Sequence, residues 1–297
     1  MPLCPMREIL SEALKKKYAV GYFEPWDQYS MEAVVQGAEN MNAPVIIGCG
    51  GIMMDQVWFD GGGMEALAEV GKVLARRSKV PTALLLNEVS NFEQIQRGLS
   101  YGFNAVMFDT SHLPFEENVR LTQKVVAAAH AVGVDVEAEL GHLPLGSGES
   151  DGVMAFPTDP EQAVEFVERT EVDALAVSIG NVHVLLKGKS DRLDLERLER
   201  IHRTVQVPLV IHGSTGFPDE AVSRVIELGV AKFNVGTVLK RAFLLGLDEA
   251  LSNTPADANP QHVMGSRKQS DILVHAREGV RREVERLIAL YMRAASA

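Results

Sequence analysis

Eight short apolar runs, bounded by turn residues and separated by stretches of helical spacing, constrain this chain more than any other feature. The runs are Ala19–Phe23, Pro44–Ile47, Thr82–Leu86, Ala105–Phe108, Val134–Leu140, Ala174–Ile179, Pro208–Ile211 and Ala231–Val235. Most lack the in-out alternation of a half-exposed strand, as expected of parallel strands covered by helices. Helical spacing marks Ser30–Met41, Phe92–Leu99, Glu116–Ala131, Pro160–Glu168, Leu195–Thr204, Asp219–Leu228 and Thr237–Leu251, and Asp271–Ala294 closes the chain. Strand–helix alternation demands a parallel sheet. Eight units in about 250 residues match a (β/α)8 TIM barrel. A doubly wound open sheet is the competing arrangement, but it usually opens on Gly-x-Gly-x-x-Gly after its first strand. Here that strand runs into Tyr22-Phe23-Glu24-Pro25-Trp26. No linker divides the chain, so residues 1–297 are expected to form a single α/β barrel domain with an extra C-terminal helix. Segments 48–63, 141–158 and 252–268, punctuated by Gly and Pro, are expected as loops.

Composition narrows the function. With 46% hydrophobic and 23% charged residues the chain is of the soluble globular class rather than disordered. No run of about 18 apolar residues offers a membrane span. Forty Asp+Glu against 29 Lys+Arg, a formal charge of -11, speaks against nucleic acid and anionic membranes as partners. Any phosphate site must therefore be local. The N-terminus is charged too early for a secretory signal, and Cys4 and Cys49 make no disulfide framework. Both points lead to an expected cytoplasmic location.

In a barrel, chemistry sits at the C-terminal ends of the strands. The residues there are Glu24, Cys49, Asn87 and Glu88, Asp109, Glu139, His183, His212, and Asn234 with Thr237. Two histidines and several carboxylates thus converge from distant parts of the chain, and neutral imidazole with carboxylate oxygen is a zinc-type donor set. Asp135, Glu137 and Glu139 share one face of their strand by the two-residue period. The first two are expected to pair with interior Lys or Arg, and Glu139, nearest the rim, is the functional candidate. Two turns, His212-Gly213-Ser214-Thr215-Gly216 and Asn234-Val235-Gly236-Thr237, lead into helices and offer N–H groups and hydroxyls to a phosphate. The same residues also make ordinary helix caps. Lys187 can add a positive charge or simply be solvated. Cys49 has no base beside it in the sequence and reads as a small buried residue.

These segments resemble the class II fructose-bisphosphate (ketose-bisphosphate) aldolases. The resemblance is carried by YAVGYFE, by GFNAVMFDTSHLPFEENVRLTQKVVAAAHAVGVDVEAELG, and by SIGNVH, VPLVIHGSTGFPDE and GVAKFNVGTVLKRAF, and covers roughly residues 5–290. It implies a TIM barrel, a divalent cation (usually Zn2+), and cleavage or formation of ketose phosphates through an enolate. It also implies a homodimer or homotetramer acting on a small sugar phosphate. By resemblance, His183 and His212 are metal ligands, and Asp109 and Glu139 belong to an alternative or supporting metal position. Gly213, Ser214, Thr215, Asn234 and Thr237 hold the phosphate end, with Lys187 assisting.

The departures carry the argument further. Family members have His-x-Asp-His after strand three, where this chain reads Leu85-Leu86-Asn87-Glu88. Glu88 thus replaces a metal histidine and Asn87 replaces the catalytic aspartate. Glu24 replaces the family's asparagine after strand one. Two histidines and a glutamate still form a catalytic zinc set, with one more negative charge than three histidines. Asn87 cannot act as acid or base, but it can donate a hydrogen bond to a developing alkoxide. Glu24 and Glu88 are then the candidate proton carriers. The expected activity is a metal-dependent aldolase not acting on fructose 1,6-bisphosphate itself. The alternatives are a sugar or sugar-acid epimerase or isomerase using the same enolate, and a catalytically degenerate binding protein.

Overall fold

The computed structural model describes residues 3–89, 91–143, 156–181 and 193–293. Eight parallel strands, β1 Val20–Phe23, β2 Val45–Gly50, β3 Thr82–Val89, β4 Ala105–Phe108, β5 Asp135–Leu140, β6 Ala174–Val177, β7 Leu209–Ile211 and β8 Val230–Val235, pair in chain order and close through β1 against β8. The helices are α1 Met6–Lys16, α2 Gln28–Asn40, α3 Gln56–Trp58, α4 Met64–Arg77, α5 Phe92–Tyr101 and α6 Phe115–His130, then α7 Pro160–Thr170, α8 Leu195–Thr204, α9 Asp219–Glu227, α10 Thr237–Ser252, α11 Pro260–Val263 and α12 Ile272–Met292. The expected (β/α)8 barrel with its C-terminal helix is therefore the observed fold.

Each expected strand is present, β4 and α8 with the expected bounds. Three expectations need correction. Segment 48–63 is not all loop: it contains the end of β2, the short α3 and one π-type turn over Phe59–Gly63. Segment 252–268 contains α11. The helix after β2, α4, was not anticipated, although Met64, Leu67, Ala68, Gly71 and Ala75 are buried at helical spacing.

The barrel separates two apolar layers. Outward-facing strand residues such as Ile47, Leu84, Val106 and Val136 pack against the helices. Inward-facing Tyr22, Ile46, Leu85 and Met107 fill the barrel, together with the small Ala83, Ala105, Ala174 and Ala176. These alanines leave room for longer polar side chains above them. Helix α1 plugs the bottom with Met6, Ile9, Leu10 and Ala13. It is tied down by Arg7, whose N–H donates to Asp135 Oδ2 at 2.8 Å and whose guanidinium lies 3.0 Å from Oδ1. The partner of Asp135 thus comes from beneath the barrel.

Helix α12 lies across α2 and α10. Its Tyr291 ring stacks on Phe233 at 4.6 Å, so the last helix packs directly on β8. Gly279 allows this closeness, since a Cβ there would stand 2.6 Å from the Ala242 carbonyl oxygen of α10.

Candidate functional site

Strand β3 places two adjacent side chains in the same cavity, which a regular strand cannot do. Glu88 adopts a left-handed backbone with φ 49°, and the β3–β4 register shifts between Leu86 and Val89. Such a conformation costs a non-glycine residue on the order of 1–3 kcal/mol and collects at functional sites. Here its effect is visible: Asn87 Oδ1 faces Asn234 Nδ2 at 3.3 Å, while Glu88 Oε1 lies 3.0 Å from Nδ1 of His212. The bent segment is held by backbone bonds from Gly51 to Asn87 (2.8 Å) and from Ile52 to Glu88 (3.1 Å).

His212, at the end of β7, is the centre of the cluster and is wholly buried. Its Nδ1 faces Glu88 and, at 3.5 Å, Glu139 Oε2. Its Nε2 lies 2.9 Å from Glu137 Oε1. Glu137 is gripped in turn by Lys232 of β8, at 2.8 and 3.0 Å, which fulfils the expected interior pairing. Burial by itself would lower the His212 pKa, but hydrogen bonds to Glu137 and Glu88 outweigh it and raise it to about 10. The acids around it thus hold the ring toward its charged form.

The carboxylates respond in the opposite sense. Burial, then repulsion from Asp109, lifts Glu139 well above the ordinary carboxylate range, against the pull of His212. Ser111 donates to Glu139 Oε1 at 3.3 Å, and the Ser111 N–H donates to Asp109 Oδ1 at 2.9 Å, so one short turn joins the two acids. Glu24, at the end of β1, is pushed up to about 7, first by burial and then by Glu88, with Lys240 opposing. Gly50 leaves room for its carboxyl: a Cβ there would stand 2.8 Å from Glu24 Cδ and push the flexible side chain aside.

A cleft opens beside these acids, lined by Glu24, Met53, Glu88, the Gly213-Ser214-Thr215 turn, Asn234, Thr237 and Lys240. The two glycine-containing turns are thus neighbours. The Ser214 hydroxyl donates to the Asn234 carbonyl, and the Val238 N–H donates to Thr215 Oγ1 at 3.3 Å. Lys240 was not anticipated from the sequence. Its ammonium stands 3.6 Å from Glu24 Oε1 and 6.0 Å from the centre of the Trp26 ring. The signal was available. A lysine one turn into α10 opposes the helix dipole, an unfavourable position unless an anion is bound there.

His183 and Lys187 lie outside the described residues. Every other expected site residue, from Glu24 to Thr237, reaches this end of the barrel. Cys49 is buried, and its thiol is pushed far up, first by burial and then by Glu24, so it is no nucleophile.

The donors present fit a divalent cation. A histidine whose outer nitrogen meets a carboxylate, with its inner nitrogen facing two more carboxylates, is the usual surrounding of a metal-binding imidazole. Among the described residues, no three donors stand ready around one point. Glu88 and His212 touch one another instead. A cation between them would displace the Nδ1 proton and relieve the crowding that raises Glu139 and Glu24.

Comparison with known proteins follows the same line. Residues 4–295 match the family model described as fructose-bisphosphate aldolase class-II. The fructose-bisphosphate aldolase of Geobacillus stearothermophilus is 38% identical over 270 residues, covering 89% of this chain and 91% of that protein. That of Thermus caldophilus is 37% identical over 290 residues, covering 89% and 92%. Among solved structures, the YdjI aldolase of Escherichia coli K12 superposes with a TM-score of 0.80 at 32% identity, covering 97% of each chain.

Proposed function

We propose that this chain, which belongs to the class II fructose-bisphosphate aldolase family, cleaves or forms a ketose phosphate other than fructose 1,6-bisphosphate. Membership makes it an aldolase-type lyase of the metal-dependent class. What supports the altered substrate is a single feature. By resemblance, the strand-three position that carries an aspartate in the family is here a buried asparagine, next to a glutamate where the family has a metal histidine.

Glu88 and His212, with His183, would hold the cation, and Asp109 and Glu139 would support it. When bound, a cation would supply Lewis acidity toward the ketose carbonyl oxygen. The protein's own groups then divide the remaining work. Asn87 is wholly buried, and its Nδ2 has no hydrogen-bond partner among the described residues. An amide of this kind donates to an oxygen that gains charge, but it takes no proton from a hydroxyl. Glu24 is the proton carrier: a carboxyl with a pKa of about 7 is half protonated near neutrality, where a general acid–base group works best. The Gly213-Ser214-Thr215 turn and Thr237 bind the phosphate, with Asn234 lining the cleft beneath them, Lys240 supplying charge and Lys187 assisting.

The test is metal content combined with turnover of a panel of ketose phosphates and aldehydes. The proposal expects a bound divalent cation and cleavage of a panel member well above that of fructose 1,6-bisphosphate. Preferred cleavage of fructose 1,6-bisphosphate would refute the altered substrate. Hydrogen exchange into dihydroxyacetone phosphate without any cleavage would favour an epimerase or isomerase instead.

A further inference from the structure

We propose that Lys232 is the positioning residue that sets both the proton of His212 and the direction of the Asn87 amide. An ammonium has three N–H donors and no acceptor. Lys232 is wholly buried and uses all three: Glu137 Oε2 at 2.8 Å, Glu137 Oε1 at 3.0 Å and Asn234 Oδ1 at 2.6 Å. The inference rests on the functional reading above only for what the ring and the amide act upon.

The first consequence concerns the ring. Ion-paired with Lys232, Glu137 can only accept, and its Oε1 is 2.9 Å from His212 Nε2. A lone pair on Nε2 would face that anion, so the proton sits on Nε2. Nδ1 is then the nitrogen turned toward Glu88 and Glu139. The lysine thus selects which nitrogen a cation meets.

The second consequence runs through two amides. With Oδ1 pinned to Lys232, Asn234 turns its Nδ2 to Asn87 Oδ1 at 3.3 Å. That occupies the Asn87 oxygen and leaves its Nδ2, unpartnered among the described residues, as the atom offered to substrate. The arrangement has a cost that identifies its cause. Asn234 Nδ2 also lies 2.9 Å from His212 Nε2, and two proton-bearing nitrogens make no hydrogen bond. Flipping Asn234 would turn its oxygen to the Nε2 proton, but it would also put an NH2 group 2.6 Å from the ammonium. Lys232 opposes that flip. Without it, Asn234 reverses, the Asn87 oxygen loses its donor, and the site loses its fixed donor at residue 87.

The experiment compares the parent with Lys232→Met and with Lys232→Met/Glu137→Gln. The double variant leaves no unpaired charge at the Lys232–Glu137 pair, and is expected to fold even if the single one does not. Zinc affinity is measured by chelator competition, and the Nε2–H and side-chain amide signals by NMR on 15N-labelled protein. Disturbing the groups that orient a ligand histidine typically weakens metal binding about 10–100-fold. In Lys232→Met, Glu137 is left buried without its counter-charge and need no longer act as a pure acceptor from Nε2, so zinc affinity is expected to fall by that factor, with faster exchange of the Nε2 proton. The double variant is expected to regain most of the affinity, because a neutral glutamine oxygen again accepts from Nε2. In both variants the Asn87 and Asn234 amide signals move, since neither keeps the ammonium. Equal zinc loss in single and double variants would overturn the proposal, as would unmoved amide signals. A parent that binds no zinc would sink the functional reading and leave the Nε2 and amide signals to decide this one.

Discussion

Replacing Asn87 by aspartate and Glu88 by histidine together should give the chain fructose 1,6-bisphosphate cleavage that neither change gives alone. Asn87→Asp by itself adds a carboxylate to a pocket that already holds Glu24 and the buried Glu88 and Glu139. Like charges about 4 Å apart repel by about 4 kcal/mol at an effective dielectric near 20, which lifts a carboxyl by about three pH units. The new carboxyl at position 87 would then be protonated at neutrality and useless as a base. Glu88→His removes one of the repelling charges, so the pair leaves the net charge of the pocket unchanged. It also leaves the Asn234 amide 3.3 Å away as a donor to the new carboxylate. Regaining a general acid–base is worth about 10²–10⁴-fold, and that gain in kcat/KM is expected for the double variant over the parent. The assay is triose phosphate release in a coupled dehydrogenase reaction with zinc present. Two results would refute the reasoning: no gain in the double variant, or the full gain from Asn87→Asp alone.

Two further predictions follow from the same geometry. The metal-free protein should lose stability as pH rises, because both shifted groups bind protons more tightly when folded. Glu24 acts between its ordinary 4.5 and about 7, and His212 between 6.5 and about 10. Melting temperatures in chelator from pH 5 to 10 should therefore fall, while added zinc should stabilise more as pH rises; a rising metal-free curve would contradict both assignments. Lys240→Met should raise the KM for a phosphorylated substrate about tenfold or more, with a smaller effect on kcat, since a charge-assisted hydrogen bond is worth about 1.5–3 kcal/mol. Unchanged KM would remove Lys240 from the phosphate site.

The barrel was legible because its strands are buried on both faces and so read as uninterrupted apolar runs. The run Ala105–Phe108 is β4 without adjustment. Helix α4 was hidden by the glycines just before it, which drew segment 48–63 out as loop. The rim acids and His212 were legible from their places after the strands, and the pairing of Glu137 with an interior lysine from strand alternation. The position of Glu88 was harder to read. A period of two puts Asn87 and Glu88 on opposite faces, and only the left-handed turn at Glu88 brings both inward. Nor does the sequence alone single out Lys232, since two of its three bonds go to a distant strand, β5, and the third to its own β8.

Anomalous diffraction at the zinc edge, from crystals grown with zinc, tests the central claim most directly. The account predicts a zinc peak about 2.0–2.2 Å from His212 Nδ1 and from a Glu88 carboxylate oxygen, with the present 3.0 Å contact between those two side chains opened. A zinc ion bound elsewhere, with Glu88 still hydrogen-bonded to His212, would contradict it.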